Sequence, residues 1–292
     1  MVADGCQGAR EAGPPSGAVL RSIPMSDAFR EVAVAAARRA GAFLRAHRGG
    51  ARDVSSKTSP INLVTEIDRG AEALVVETLH ARFPDHSILA EEGGAQRRSS
   101  THCWVIDPLD GTTNFVHGLP LYSVSLALEV EGRAVVGVVY DPNLDECFVA
   151  ERGGGAFLED RRLAVSATAS LGASLLATGF PYDVRDTADN NLAEYAAFTR
   201  RNRSVRELGS AAITLAAVAA GRLDGYWELV LGPWDAAAGA LLVEEAGGRV
   251  TGLDGGPLDR AAPALVASNG HIHPEMIAVL TEVRARGPAA GE

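Results

Sequence analysis

Between residues 27 and 47 apolar side chains return at helical intervals, Phe29, Val32, Val34, Ala36, Phe43 and Leu44, with Arg and Glu between them. That spacing predicts an amphipathic helix, and Gly49-Gly50 supplies its stop. A second helix is predicted from Glu66 to Phe83, with Ile67, Leu74, Val75 and Leu79 turned inward and Asp68 in its first turn, where the helix dipole favours a carboxylate. The period then changes. Ser87 to Ala90 and Trp104 to Ile106 are short apolar runs that read as buried strands; the second is predicted to stop at Asp107, because Pro108 has no amide hydrogen for a ladder. Tyr122 to Val130, Ala134 to Tyr140 and Glu146 to Ala150 are β-branched and alternating, with Glu131-Gly132-Arg133 as a hairpin turn, which predicts an antiparallel meander.

The second half alternates. Strands are predicted at Ser174 to Thr178, Ser204 to Arg206, Leu223 to Glu228, near Arg249 and from Pro263 to Ala267. Helices are predicted at Leu192 to Arg200, Ser210 to Ala220, Trp234 to Ala246 and after Pro274. Such a mixture is an α+β chain whose sheets are covered by helices. No internal repeat is present, and a subdomain boundary, if there is one, falls near residues 166–174. Gly153-Gly154-Gly155 invites comparison with a phosphate cradle, but no Lys-Ser/Thr of a P-loop follows, so a simple bend is expected.

At 292 residues, with 47% hydrophobic and 22% charged residues, the chain has material for one large domain or two closely joined ones. A formal net charge of -10 argues against gripping nucleic acid or an anionic membrane by general electrostatics. Cys6, Cys103 and Cys147 are odd in number and far apart, which suggests a reducing compartment without a disulfide framework or a zinc site. No apolar run approaches the roughly 18 residues of a membrane span. Residues 1–24 are rich in Gly, Ala and Pro and lack the apolar core of a secretory signal, so a disordered tail and a cytoplasmic protein are expected.

The candidate chemistry centres on Trp104 to Phe115, Trp-Val-Ile-Asp-Pro-Leu-Asp-Gly-Thr-Thr-Asn-Phe. A strand delivers Asp107, and Asp110 follows three residues on; Gly111 permits close backbone approach, and two hydroxyls then open a helix. Hard cations want oxygen ligands, and a Gly-Thr-Thr turn points free amides at an anion. Taken alone, Asp-Pro-x-Asp-Gly is equally well a plain turn. What favours chemistry is recurrence: Asp68, Glu91, Asp107, Asp110 and Asp235 all sit at the tip of a predicted strand or in the first turn of a predicted helix. His47, His80, His86, His102 and His117 lack ligand spacing, which disfavours a phosphohistidine or zinc site.

These stretches resemble the inositol monophosphatase family, closest to its bacterial inositol-1-monophosphatases. Its first motif matches Trp104 to Phe115 and its second Trp234 to Gly239. Asn62-Leu63-Val64-Thr65 with Asp68, the pair Glu91-Glu92, Gly209-Ser210-Ala211-Ala212 and Trp227-Glu228-Leu229 complete the pattern in order. The likeness runs from Ser26 to about Ile277, within a domain taken as residues 25–292. Ala90 departs from the Gly that commonly precedes the acidic pair, which affects only the turn.

The resemblance implies a layered α/β/α/β/α sandwich, usually homodimeric, and magnesium-dependent, lithium-sensitive hydrolysis of inositol 1-phosphate or similar polyol phosphates. Two or three Mg2+ per site are implied. Glu91, Asp107 and the carbonyl of Leu109 would hold one, and Asp107, Asp110 and Asp235 another. Thr112 and Asp68 would serve the attacking water together with Glu91, the amides of Gly111 and Thr112 the phosphate, and Lys57 a loop over the metals. Gly209, Ser210, Ala211 and Glu228 would line the polyol end. The charges agree independently: two divalent cations balance the four carboxylates Glu91, Asp107, Asp110 and Asp235, which without metal repel one another and take up protons more readily. Histidinol phosphatase, fructose 1,6-bisphosphatase and a nucleotide-directed 3'-phosphatase would keep the same metal acids. A regulatory protein-binding role is the alternative of another class.

Overall fold

The computed structural model describes residues 27–48, 54–56 and 63–286; Lys57 and the tail 1–24 lie outside them. The chain opens with α1 (Asp27–His47), the short pair β1 (Val54–Ser56) and β2 (Leu63–Thr65), and α2 (Glu66–Arg82). Next come β3 (Ser87–Ala90), β4 (Gly94–Gln96), β5 (His102–Asp110), α3 (Thr112–His117) and the meander β6 (Ser123–Val130), β7 (Arg133–Asp141), β8 (Glu146–Glu151), β9 (Gly155–Leu158) and β10 (Arg161–Arg162). The remainder is β11 (Leu175–Thr178), α4 (Leu192–Thr199), β12 (Ser204–Arg206), α5 (Ala211–Ala219), β13 (Gly225–Glu228), α6 (Pro233–Glu245), β14 (Arg249–Thr251), β15 (Leu265–Ser268) and α7 (His273–Ala285).

Eight strands in the order β10-β9-β8-β7-β6-β5-β3-β4 form one sheet, and five in the order β12-β11-β13-β15-β14 form another. Strand periodicity assigns the layers. On β5, Trp104 and Ile106 face a core shared with α1 and α2, while Cys103 and Val105 face α5 and α6. On the second sheet, Tyr226 and Ala267 face that same middle layer, and Trp227 and Val266 face α4 and α7. The result is the α+β sandwich of five layers, α/β/α/β/α. The last strand of the first sheet ends at Arg162 and the first of the second begins at Leu175.

Helix α6 is squeezed between the sheets, and Ala236 through Val243 are all buried. Small side chains let it approach; a Cβ on Gly137 of β7 would come within 2.9 Å of the Ala238 carbonyl. The same economy changes the expected face of α1. Its innermost stripe is Ala33, Ala36, Ala37, Ala40, Gly41 and Leu44, while Phe29, Val32, Val34 and Phe43 flank it half-buried. A helix lying this close to a sheet seats its smallest residues at the contact, with the larger ones closing the sides.

The expected end of the central strand is also corrected. Strand β5 passes through Pro108 to Asp110, with a bulge that sets Asp107 opposite Ser125 and Asp110 opposite Ser123. A bulge residue owes no ladder hydrogen bond, so proline is tolerated there. The hairpin turn after β6 is Glu131-Gly132, both at positive φ (52° and 75°). Gly153 turns between β8 and β9, as a bend. Cys147 is a buried thiol whose pKa burial pushes up to about 12. Cys103 is buried on the middle-layer face of β5.

His273 at the start of α7 is buried, between the hydroxyls of Thr251 and Ser268, each 2.9 Å away. Burial and then Arg249 lower its pKa from 6.5 to about 4. The neutral ring is therefore favoured in the folded state, and the stability it contributes is whole above pH 6.5 and lost as pH falls towards 4. Comparison with H273Q isolates this group from the carboxylates. The stability difference between parent and variant should shrink by up to about 3 kcal/mol between pH 7 and pH 4 in denaturant titrations; a pH-independent difference would refute the assignment.

Candidate active site

Parallel pairing of β3 with β5 sets Ala90 beside Ile106, and the amide of Glu91 donates to the Ile106 carbonyl at 3.2 Å. Glu91, just past the end of β3, and Asp107, inside β5 before its bulge, therefore emerge side by side. The β5 bulge carries Asp110 to the same side, and α6 begins beside them with Asp235 in its first turn. Ligand oxygens of Asp107, Asp110 and Asp235 lie within 4.8 Å of one another. Asp68, in the first turn of α2, is buried.

Each acid is held. Asp107 Oδ1 accepts from the Leu109 amide at 3.0 Å. Asp235 Oδ2 accepts from the Gly232 amide at 2.6 Å. Asp110 caps α5 from another part of the chain: its Oδ2 accepts from the Ser210 hydroxyl, from the Ala212 amide at 2.9 Å and from Ser123 Oγ at 3.3 Å, and its Oδ1 from the Ala211 amide at 3.1 Å. Ser210 and Ala211 thus act on Asp110 as well as bordering the cavity.

Burial raises the pKa of Asp107 well above the carboxylate range, followed by the charges of Glu91, Asp110 and Asp235. Asp235 is raised in the same way by burial, Glu91 and Asp110, and Asp110 is raised by burial against the opposing pull of its donors. An all-oxygen donor set with a surplus of negative charge fits a hard divalent cation. Asp107, Asp110 and Asp235 can bind such an ion, with Glu91 adding its charge alongside.

Thr112 is buried, and its Oγ1 donates to the Leu109 carbonyl at 3.1 Å. A hydroxyl carries one proton, so the implied donation from Thr112 to Asp68 needs a turn of this rotor. Gly111 sits at φ 95°, and a Cβ there would lie 2.8 Å from the Leu121 carbonyl and 3.2 Å from that of Gly209. Only glycine fits.

A cavity of about 380 Å³ opens from the acids. Asp110, Gly111 and Asp235 line it together with Tyr226 and Glu228, Phe180 and Tyr182, and Gly209, Ser210 and Ala211. A larger cavity of about 540 Å³ lies between α1 and the β8–β9 hairpin. None of the clustered acids lines it.

The family model of the inositol monophosphatase family matches residues 25–285. The chain belongs to that family. An inositol-1-monophosphatase of Synechocystis sp. is 48% identical over 247 residues, covering 84% of this chain and 86% of the relative. A Nus factor SuhB of Escherichia coli is 42% identical over 250 residues, covering 85% and 93%. The solved inositol monophosphatase of Anabaena (Nostoc) sp. superposes with a TM-score of 0.81 at 44% identity, covering 90% of this chain and 98% of that one. The chain is a phosphatase.

Within this inositol monophosphatase family member, several side chains at the site escape the sequence reading. Glu72, one turn after Asp68 on α2, is buried and accepts from the Glu92 amide at 2.9 Å, holding the turn that carries Glu91. An acid among Ala71, Val75 and Leu79 on an inward stripe was the available signal. Asn114 donates to the carbonyls of Leu121 and Leu208, both at 2.7 Å, tying α3 to the segment before α5. Tyr182 is 51% exposed and lines the cavity with Asp110 and Asp235; burial of the phenol, and then the charges of Glu91, Asp235, Asp110 and Asp107, raise its pKa. No spacing rule marks a loop tyrosine for this.

Proposed function

We propose that the chain hydrolyses inositol 1-phosphate and related polyol monophosphates to the free polyol and inorganic phosphate, with magnesium as cofactor. The observation that carries this reading is one cavity lined both by Glu228 and by Asp110 and Asp235, two acids of the Asp107, Asp110 and Asp235 cluster. Glu91, Asp107 and the Leu109 carbonyl would hold one ion, and Asp107, Asp110 and Asp235 another, with two or three ions expected per site. Bound there, magnesium supplies Lewis acidity, lowering the pKa of water and stabilising charge on the leaving oxygen.

The protein's own groups do the rest. Water attacks phosphorus, and Thr112 and Asp68 orient it and take its proton, with Glu91 at the same face. The amides of Gly111 and Thr112 receive the phosphoryl oxygens. The ester P–O bond breaks, and the leaving polyol oxygen takes up a proton from solvent, balancing the one that Thr112 and Asp68 remove from the attacking water. Glu228, with Gly209, Ser210 and Ala211 beside it, accepts from ring hydroxyls, which suits a polyol better than a nucleotide base. A homodimer in the cytoplasm, without general affinity for nucleic acid or membrane, belongs to this proposal; among the described residues no helix is long and apolar enough to cross a membrane.

Phosphate release from inositol 1-phosphate, fructose 1,6-bisphosphate, histidinol phosphate and adenosine 3',5'-bisphosphate tests it. Release should be led by inositol 1-phosphate, vanish without magnesium and fall on adding lithium. A different leading ester would overturn the polyol assignment. The relatives named Nus factor SuhB, at 42 to 45% identity, favour a second reading, a regulatory role in which the fold also binds a protein partner. That role would survive a substitution that stops turnover.

A further inference from the structure

Glu228 ends β13, and Tyr226, two residues earlier, points to the same face of the strand. Tyr226 is 1% exposed and donates its phenolic hydrogen to Glu228 Oε2. Above the carboxylate runs the backbone of Gly179, just past the end of the parallel neighbour β11. A Cβ at 179 would collide with both carboxylate oxygens of Glu228. Gly179 is not among the positive-φ glycines, so its bare backbone serves space and not conformation.

That backbone cannot drift. Asn191 Nδ2 donates to the Gly179 carbonyl and to Thr178 Oγ1, both at 2.7 Å. Thr178 Oγ1 in turn donates to the Trp227 carbonyl at 2.7 Å, and Trp227 Nε1 donates to Asn191 Oδ1 at 2.7 Å. The strand carrying Glu228 and the segment covering it are thus one hydrogen-bonded unit.

We propose that Tyr226 and Gly179 are the specificity-determining positioning residues of the polyol end: the phenol holds one oxygen of Glu228, the bare backbone leaves room, and the other oxygen faces the cavity in one fixed place to accept a ring hydroxyl. This rests on the polyol reading above. A carboxylate immobilised beforehand loses little freedom when a substrate hydroxyl arrives, and it discriminates against esters that bring none.

The test is the ratio of kcat/KM for inositol 1-phosphate to that for 4-nitrophenyl phosphate, which has no polyol, measured with magnesium in Y226F, G179A, E228Q and Y226F/E228Q. Tyr226→Phe keeps the packed ring, and Gly179→Ala meets the movable end of a side chain, so two unrelated changes displace the same carboxylate. Each single variant should lower the ratio about tenfold, mainly through KM for the inositol ester, and the double variant should fall no further than E228Q. Equal losses on both esters, or additive losses in the double variant, would overturn the proposal. If E228Q itself leaves the ratio unmoved, the polyol reading fails; if E228Q lowers it and Y226F and G179A do not, only the positioning proposal fails.

Discussion

Asp107→Asn should stop turnover and, in the presence of a chelator, make the protein more stable than the parent. The activity half follows from position: Asp107 stands between Glu91 on the neighbouring strand and Asp110 and Asp235, and serves both proposed ions. Losing metal-derived charge stabilisation of several kcal/mol corresponds to about a thousandfold or more in kcat. The stability half follows from the direction of the pKa. Burial and three neighbouring acids raise Asp107 in the fold. Its ionisation therefore opposes folding at neutral pH, a cost relieved as pH falls through the raised value. Asparagine removes that charge and can still accept from the Leu109 amide. Thermal melts at pH 7 with a chelator should place the variant above the parent, and saturating magnesium should reverse the order. A variant that melts lower in chelator, or keeps near-parental turnover, would refute the account of the cluster.

Gly111→Ala should lower stability by roughly 3 kcal/mol and abolish activity with it. The residue lies at φ 95°, which costs an L side chain about 1–2 kcal/mol. The added carbon also meets backbone from both sides, the Leu121 carbonyl at 2.8 Å and the Gly209 carbonyl at 3.2 Å. Neither can yield alone, because Asn114 ties the Leu121 carbonyl to that of Leu208, next to Gly209. At this chain length the change is worth a melting shift of roughly 5 °C. Gly118→Ala is the control: φ is 79°, but nothing lies within 4 Å of the new carbon, so only the conformational cost applies. Equal shifts for the two variants would sink the steric argument.

The acids were legible in the chain because each is punctuated locally. Asp107 and Asp110 bracket Pro108 ahead of Gly111, Asp235 follows Gly232-Pro233, and Glu91 ends an apolar run before Gly93-Gly94. Alternation likewise foretold the meander and the strands of the second sheet to within a residue or two. Where the reading failed, packing had overridden a local rule. Pro108 continues β5 because a bulge removes its hydrogen-bonding duty. The inner stripe of α1 is alanine because the helix lies against the sheet, a distance no hydrophobicity pattern encodes.

By itself the chain determined the element order, the α+β class and which carboxylates stand at element ends, since these depend on neighbours a few residues apart. Only the tertiary structure decided that Asp107, Asp110 and Asp235 converge, that Asp110 caps a helix beginning a hundred residues later, and that Tyr226 and Gly179 confine Glu228. Those relations arise from stacking two sheets on a shared layer of small-residue helices. The register that brings distant ends to one cavity is set by close packing across the layers, and no local stretch of sequence contains it.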